Sequence, residues 1–140
     1  MVDLSAIYND LEMQNVKLFT QDIGFADAAT IESDGRYGVF LDLSCFDSIP
    51  KYKEILAHEL GHCATGCTHK VSSPLDLIEK HEYKANKWAI ERYIPFKEMC
   101  CAIRQGYTER WQLAEYFDIP ESFIEKAVNY YTAVRQRRFA

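Results

Sequence analysis

Residues 58–62 read His-Glu-Leu-Gly-His, and this pentapeptide constrains the chain more than any other stretch. Two histidines four positions apart can serve one ion from a helix, where residues i and i+4 stand on one face about 5–6 Å apart at Cβ. Both imidazoles then reach a shared ion at the ~2.0–2.1 Å of a zinc–nitrogen bond. Glu59 projects beside them, where a carboxylate can take a proton from water and pass it to a leaving amine. The flanks agree with a helix, since Pro50 suits a first turn and Gly66 a stop. At this chain's own His and Glu frequencies the pattern arises by chance in roughly one such chain in a hundred. The rest of the helix must therefore carry part of the argument. Tyr52, Ile55, Leu56, Leu60 and Cys63 share one core-facing side, and His58 and His62 fall on a neighbouring face with Glu59 between them. Gly61 costs about 1 kcal/mol against alanine in mid-helix. Close approach of another backbone, room for a ligand, or simple tolerance would each explain it.

A catalytic zinc usually takes three protein ligands. A second helical stretch, Leu75 to Tyr93, offers the third. Leu75, Ile78, Ala85, Ala89 and Tyr93 form an apolar stripe with Glu82 in its middle. A bare carboxylate there needs a partner. Coordination beside His58 and His62 supplies one; a salt bridge, or a helix turned so that the stripe is half buried, are the alternatives. His81 lies at the stripe's edge, suited to a surface or supporting role. His69 reads as solvated, and Asp76 and Glu79 lie off the stripe's centre. Cys63 and Cys67 could pair as ligands, but Cys63 faces the core and no second ligand pair follows, so both read as buried thiols.

These residues resemble a known family. His58-Glu59-Leu60-Gly61-His62, followed by Glu82-Tyr83-Lys84-Ala85-Asn86-Lys87-Trp88-Ala89 and then Pro95, is similar to the paired motifs of the ImmA/IrrE metallopeptidases. The strand-like Gly38 to Leu43 before the active helix also matches in kind, and the similarity covers roughly residues 5–95. The resemblance implies a zincin-like domain with a short sheet beside the active-site helix. It implies metal ligands His58, His62 and Glu82, with Glu59 catalytic. It also implies a protein substrate, a helix-turn-helix repressor of a phage or mobile element. Lys84 departs from the second Glu that family members often carry before the conserved Ala. The expected cofactor is one zinc ion, with another divalent metal such as Mn2+ also compatible. The expected activity is zinc-dependent endopeptidase; the alternative is a non-catalytic, metal-containing regulatory protein that antagonises a repressor by binding. The sequence does not single out an oxyanion-stabilising or substrate-contacting residue, and His81, Tyr83 and Tyr93 are the candidates.

Around this site, Leu4 to Phe19 reads as an amphipathic helix capped by Asp3 or Ser5. Ala28 to Glu32 and Tyr37 to Leu43 read as strands of a hairpin across Ser33-Asp34-Gly35. Shorter helices are expected over Phe96–Arg104, Thr108–Phe117 and Glu121–Arg135. The order predicts an α+β, mostly helical fold. Its organisation is expected to be a metallopeptidase core over residues 1–95 with a helical extension over 96–140 packed on the same domain. The extension resembles the middle of a helix-turn-helix, but residues 107–140 carry five positive and five negative charges, so a packing or protein-docking pair is expected rather than direct nucleic-acid binding. Residues 1–70 hold 5 Lys/Arg against 11 Asp/Glu, and residues 71–140 hold 11 against 10; an acidic first half disfavours phosphate. No apolar run approaches the ~20 residues of a membrane helix. The N-terminal stretch lacks a positive n-region and an apolar h-region, which argues against a signal peptide. Five cysteines, two of them adjacent, suit reduced thiols. The expected location is cytoplasmic.

Overall fold

The computed structural model describes residues 1–20, 27–66 and 74–134. Over these residues the fold is α+β, with six α-helices and a three-stranded sheet. Helix α1 (Leu4–Met13) starts on Asp3, whose carboxylate accepts from the Ser5 backbone N–H at 3.0 Å. It is shorter than the periodicity predicts. Asn15 takes a positive φ of 55°, which Asn tolerates better than most residues, and the chain turns into strand β1 (Val16–Thr20). Val16 and Leu18 alternate with Lys17 and Phe19 as a strand requires, although a helical period also fits them as a continuation of the apolar face. Their pairing partner is remote in sequence, because β1 runs parallel to β3 with Val16 opposite Tyr37.

Strands β2 (Ala28–Ser33) and β3 (Arg36–Leu41) form the expected hairpin. Asp34 and Gly35 both have positive φ, 53° and 76°, as a tight two-residue hairpin turn demands. The second strand stops two residues before the predicted Leu43. The Asp42 carboxylate accepts from the Ser44 N–H at 3.1 Å and opens a 3₁₀ turn, Leu43–Cys45. The sheet order β1-β3-β2 leaves β2 on an edge next to helix α2 (Ile49–Thr65).

Helix α2 begins at Ser48, which accepts from Lys51 N–H, and stops at a left-handed Gly66. Helix α3 (Leu75–Tyr93) packs along it and ends before Pro95, as expected. Helices α4 (Phe96–Arg104), α5 (Arg110–Phe117) and α6 (Glu121–Asn129) follow, and a π-helical turn over Tyr130–Val134 continues α6. One apolar cluster joins Ile7, Val39, Leu56 and Leu60 to Met99, Phe117 and Phe123, so α4–α6 share the core of the preceding elements. Specific polar ties reinforce this. The buried Lys53 ammonium donates to Asp118 at 2.6 Å, the Val2 N–H donates to the Phe117 carbonyl at 2.7 Å, and the Tyr131 hydroxyl donates to the Ile94 carbonyl at 2.7 Å. Among the described residues, no helix is long and apolar enough to cross a membrane.

A polar network fixes α1 against the end of α3. Arg92 donates twice to the buried Asp10 carboxylate, at 2.7 and 3.0 Å, and the Tyr93 hydroxyl donates at 2.6 Å. Burial alone would raise the Asp10 pKa; the Arg92 and Tyr93 hydrogen bonds, with the Arg92 charge, outweigh it and hold the carboxyl below its ordinary value. Asp10 thus favours the fold above its unfolded-state pKa, and that contribution is lost as pH falls through the lower folded-state value.

Candidate metal centre

Helix α2 presents His58, Glu59 and His62 on the side that faces α3 and the edge strand β2. The close fit of the two helices begins at Gly61. A Cβ there would lie 2.3 Å from the Ala85 carbonyl oxygen and 2.9 Å from its Cα. Of the explanations open from sequence, close approach of another backbone is therefore the one realised. Ala85 and Ala89, both 0% exposed, keep the facing side of α3 equally small.

That approach carries Glu82 onto both histidines. Its carboxylate oxygens lie 2.6 Å from His58 Nε2 and 3.0 Å from His62 Nε2, and the two ring nitrogens are 3.2 Å apart. Ligand atoms placed tetrahedrally at the ~2.0–2.1 Å of zinc–nitrogen and zinc–oxygen bonds would be about 3.3 Å apart. The observed triangle is slightly tighter, a difference that small side-chain rotations remove. Two imidazoles and one carboxylate are also a donor set that suits a divalent ion. His58, His62 and Glu82 could therefore hold a metal ion. Hydrogen bonding to His58 first, and then to His62, holds the Glu82 carboxyl well below the usual carboxylate range despite partial burial. It thus offers an ionised ligand at neutral pH.

Burial of Glu82 within the stripe of α3, expected from sequence, is only partial. The apolar stripe of α3 is buried only in its second half: Leu75 is 70% exposed, and the Glu82 side chain itself is 38% exposed. Glu82 meets the histidines at the rim of the core rather than inside it, so reach and geometry bring the three together more than desolvation does.

Two neighbours position these groups. Asn86 Oδ1 lies 2.8 Å from His58 Nδ1. An amide oxygen only accepts, so this contact puts a proton on Nδ1 and turns Nε2 toward Glu82 and His62, where its lone pair would ligate a bound ion in place of the hydrogen bond to Glu82. Asn86→Leu is expected to weaken zinc binding about 10- to 100-fold with little change in melting temperature, measured by competition against a chromophoric chelator; unchanged affinity would show that the contact does not orient the ligand. Glu59, 8% exposed, accepts a short hydrogen bond from the Thr30 hydroxyl on β2. Cys63 is buried one turn further on, and burial together with the nearby Glu59 charge pushes its thiol up to about 12. It stays protonated, in keeping with its reading as a core thiol. Cys67 and His69 lie outside the described residues.

His58 and Glu82 open on a cleft of about 290 Å³ that they line with Glu59, Asn86, Asp27, Ala28, Glu54, Ile55 and Lys126, while His62 lies buried behind them. None of the three candidate contact residues lines it. Tyr93 donates its hydroxyl to Asp10 and belongs to the α1–α3 network; its apolar position is what buries it there. Tyr83 is exposed on α3, and His81 is half-buried outside the cleft. The residues expected from sequence to form the site do not include Thr30, Glu54, Lys126 or Asn86. Only Asn86 carried a local signal, its i+4 spacing from Glu82.

Comparison with protein-family models, curated proteins and solved structures found no match.

Proposed function

We propose that this protein is a zinc-dependent endopeptidase of a zincin-like type. The observation that carries the reading is the convergence of His58, His62 and Glu82 from two helices, with the Glu59 carboxylate beside them at an open cleft. Bound zinc supplies a Lewis acid that polarises a peptide carbonyl and makes water more acidic. The protein's own part is positional and protic. His58, held by Asn86, and His62 keep their Nε2 atoms on one point, and Glu82 closes the triangle. Thr30 ties up Glu59 Oε2, which leaves Oε1 to take the proton of the attacking water and return it to the leaving nitrogen. A carboxylate set beside the ligands can serve both transfers without moving far.

The substrate proposed is a protein, a helix-turn-helix repressor of a phage or mobile element. This part rests on the resemblance of the 58–62 and 82–89 motifs to the ImmA/IrrE family. The test is hydrolysis of an unstructured protein such as casein by the zinc-loaded chain. Cleavage is expected, with complete loss on chelation and recovery on adding back zinc, followed by mass spectrometry of the fragments. No cleavage by zinc- or manganese-loaded protein, or cleavage indifferent to chelation, would overturn the reading.

A further inference from the structure

One wall of the cleft comes from outside the two helices that hold the triad. Lys126 on α6 lines it, next to Glu54 and Ile55. Its place follows from helix geometry. Glu54 stands four residues before His58, so it lies on the same face of α2, about 6 Å back along the axis. Helix α6 is held at that turn by Ser122, whose hydroxyl donates to Glu54 Oε2 at 3.4 Å. Lys126 is four residues beyond Ser122, on the same face of α6.

The charges of the cleft leave Lys126 available. Among the described residues, every carboxylate that lines it has a partner of its own. Glu82 meets the two histidines, Glu59 accepts from Thr30, Glu54 is met by Lys51 and Ser122, and Asp27 interacts with the Cys45 thiol. Lys126 is exposed and forms no ion pair with a described residue. Among the described residues lining the cleft it is the one Lys or Arg. Two residues of extended peptide span about 6.6 Å, close to the distance from the His58 turn to the Glu54 turn.

We infer that Lys126 is a specificity-determining residue whose ammonium binds a carboxylate of the peptide, one or two residues from the bond to be cleaved. This rests on the peptidase reading of the same cleft. The carboxylate can belong to an Asp or Glu side chain or to a free C-terminus, and one experiment separates the two.

Zinc-loaded Glu59→Gln protein is titrated into fluorescent peptide pools of matched composition that carry one Glu, Gln or Lys, each pool with a free or amidated C-terminus. Anisotropy reads binding without turnover. An exposed ion pair supports a preference of about twofold to fivefold, largest at low ionic strength. A side-chain carboxylate gives Glu over Gln in the amidated pools, and a terminal carboxylate gives free acid over amide. Adding Lys126→Met should erase the preference, and Lys126→Arg should keep it. Equal binding of all pools, or a preference that survives Lys126→Met, overturns the inference. A wild-type protein that cleaves casein while Lys126→Met changes nothing sinks this inference alone. A protein that binds selectively through Lys126 and cleaves nothing sinks the peptidase reading and leaves Lys126 as a carboxylate-binding residue of the cleft.

Discussion

Glu59→Gln is expected to lower peptide hydrolysis by about 100- to 10,000-fold, the range attributed to a positioned general base, while zinc content stays at the wild-type level. Metal binding and proton transfer fall to different residues. Glu59 is not in the ligand triangle, which His58, His62 and Glu82 complete without it. Glutamine keeps the size of the side chain and an oxygen that can accept from the Thr30 hydroxyl, so the wall of the cleft is preserved. It loses only the carboxylate that can accept a proton from water. Metal analysis and casein hydrolysis on the same preparation read both halves. Retained hydrolysis would remove Glu59 from the chemistry. Lost zinc would mean that it supports the site rather than the reaction. In cells that carry a candidate repressor, the variant separates cleavage from docking: relief of repression by Glu59→Gln would point to a regulatory protein that works by binding.

The parts of this molecule that were legible beforehand share one property: their determinants are local. The helix over Ile49–Thr65 has its cap, its stop and its two-faced pattern within one stretch, and the hairpin turn at Asp34-Gly35 needs only residues that accept positive φ. Glu82 could be proposed as third ligand because α3 has an equally clear period. The errors lie where a distant partner decides. Val16–Thr20 extends a helical pattern until β3 offers it a parallel edge, and no feature of those five residues announces Arg36–Leu41 as the neighbour. Thr30 meets Glu59 from a strand 29 residues before it, Lys126 reaches the cleft from a helix 44 residues after Glu82, and nothing in their own surroundings marks them. Tyr93 shows the converse. By sequence it is one of three candidate site contacts, but the partner that claims its hydroxyl, Asp10, comes from the first helix.

Gly61→Ala should damage stability and metal binding together, because one contact sets both. Alanine would gain about 1 kcal/mol of helix propensity over glycine. Against this, its methyl would sit 2.3 Å from the Ala85 carbonyl oxygen, 2.8 Å from the carbonyl carbon and 2.9 Å from Cα. These are backbone atoms of a packed helix, so no rotamer change relieves the overlap, and α3 must move away by about 1 Å, the kind of overpacking that costs up to ~3 kcal/mol or more. Overpacking wins by about 2 kcal/mol, a fall in Tm on the order of 8 °C for a domain of this size. The same movement draws Glu82, three residues before Ala85, off His58 and His62. A ligand set that tolerates about 0.5 Å of error should then lose at least tenfold in zinc affinity. Thermal unfolding of the apo-protein measures the first effect and chelator competition below the new Tm measures the second. A variant with wild-type Tm would show that the helices are not in backbone contact at Gly61. One with reduced Tm but wild-type zinc affinity would show that Glu82 reaches the histidines independently of how closely α2 and α3 approach.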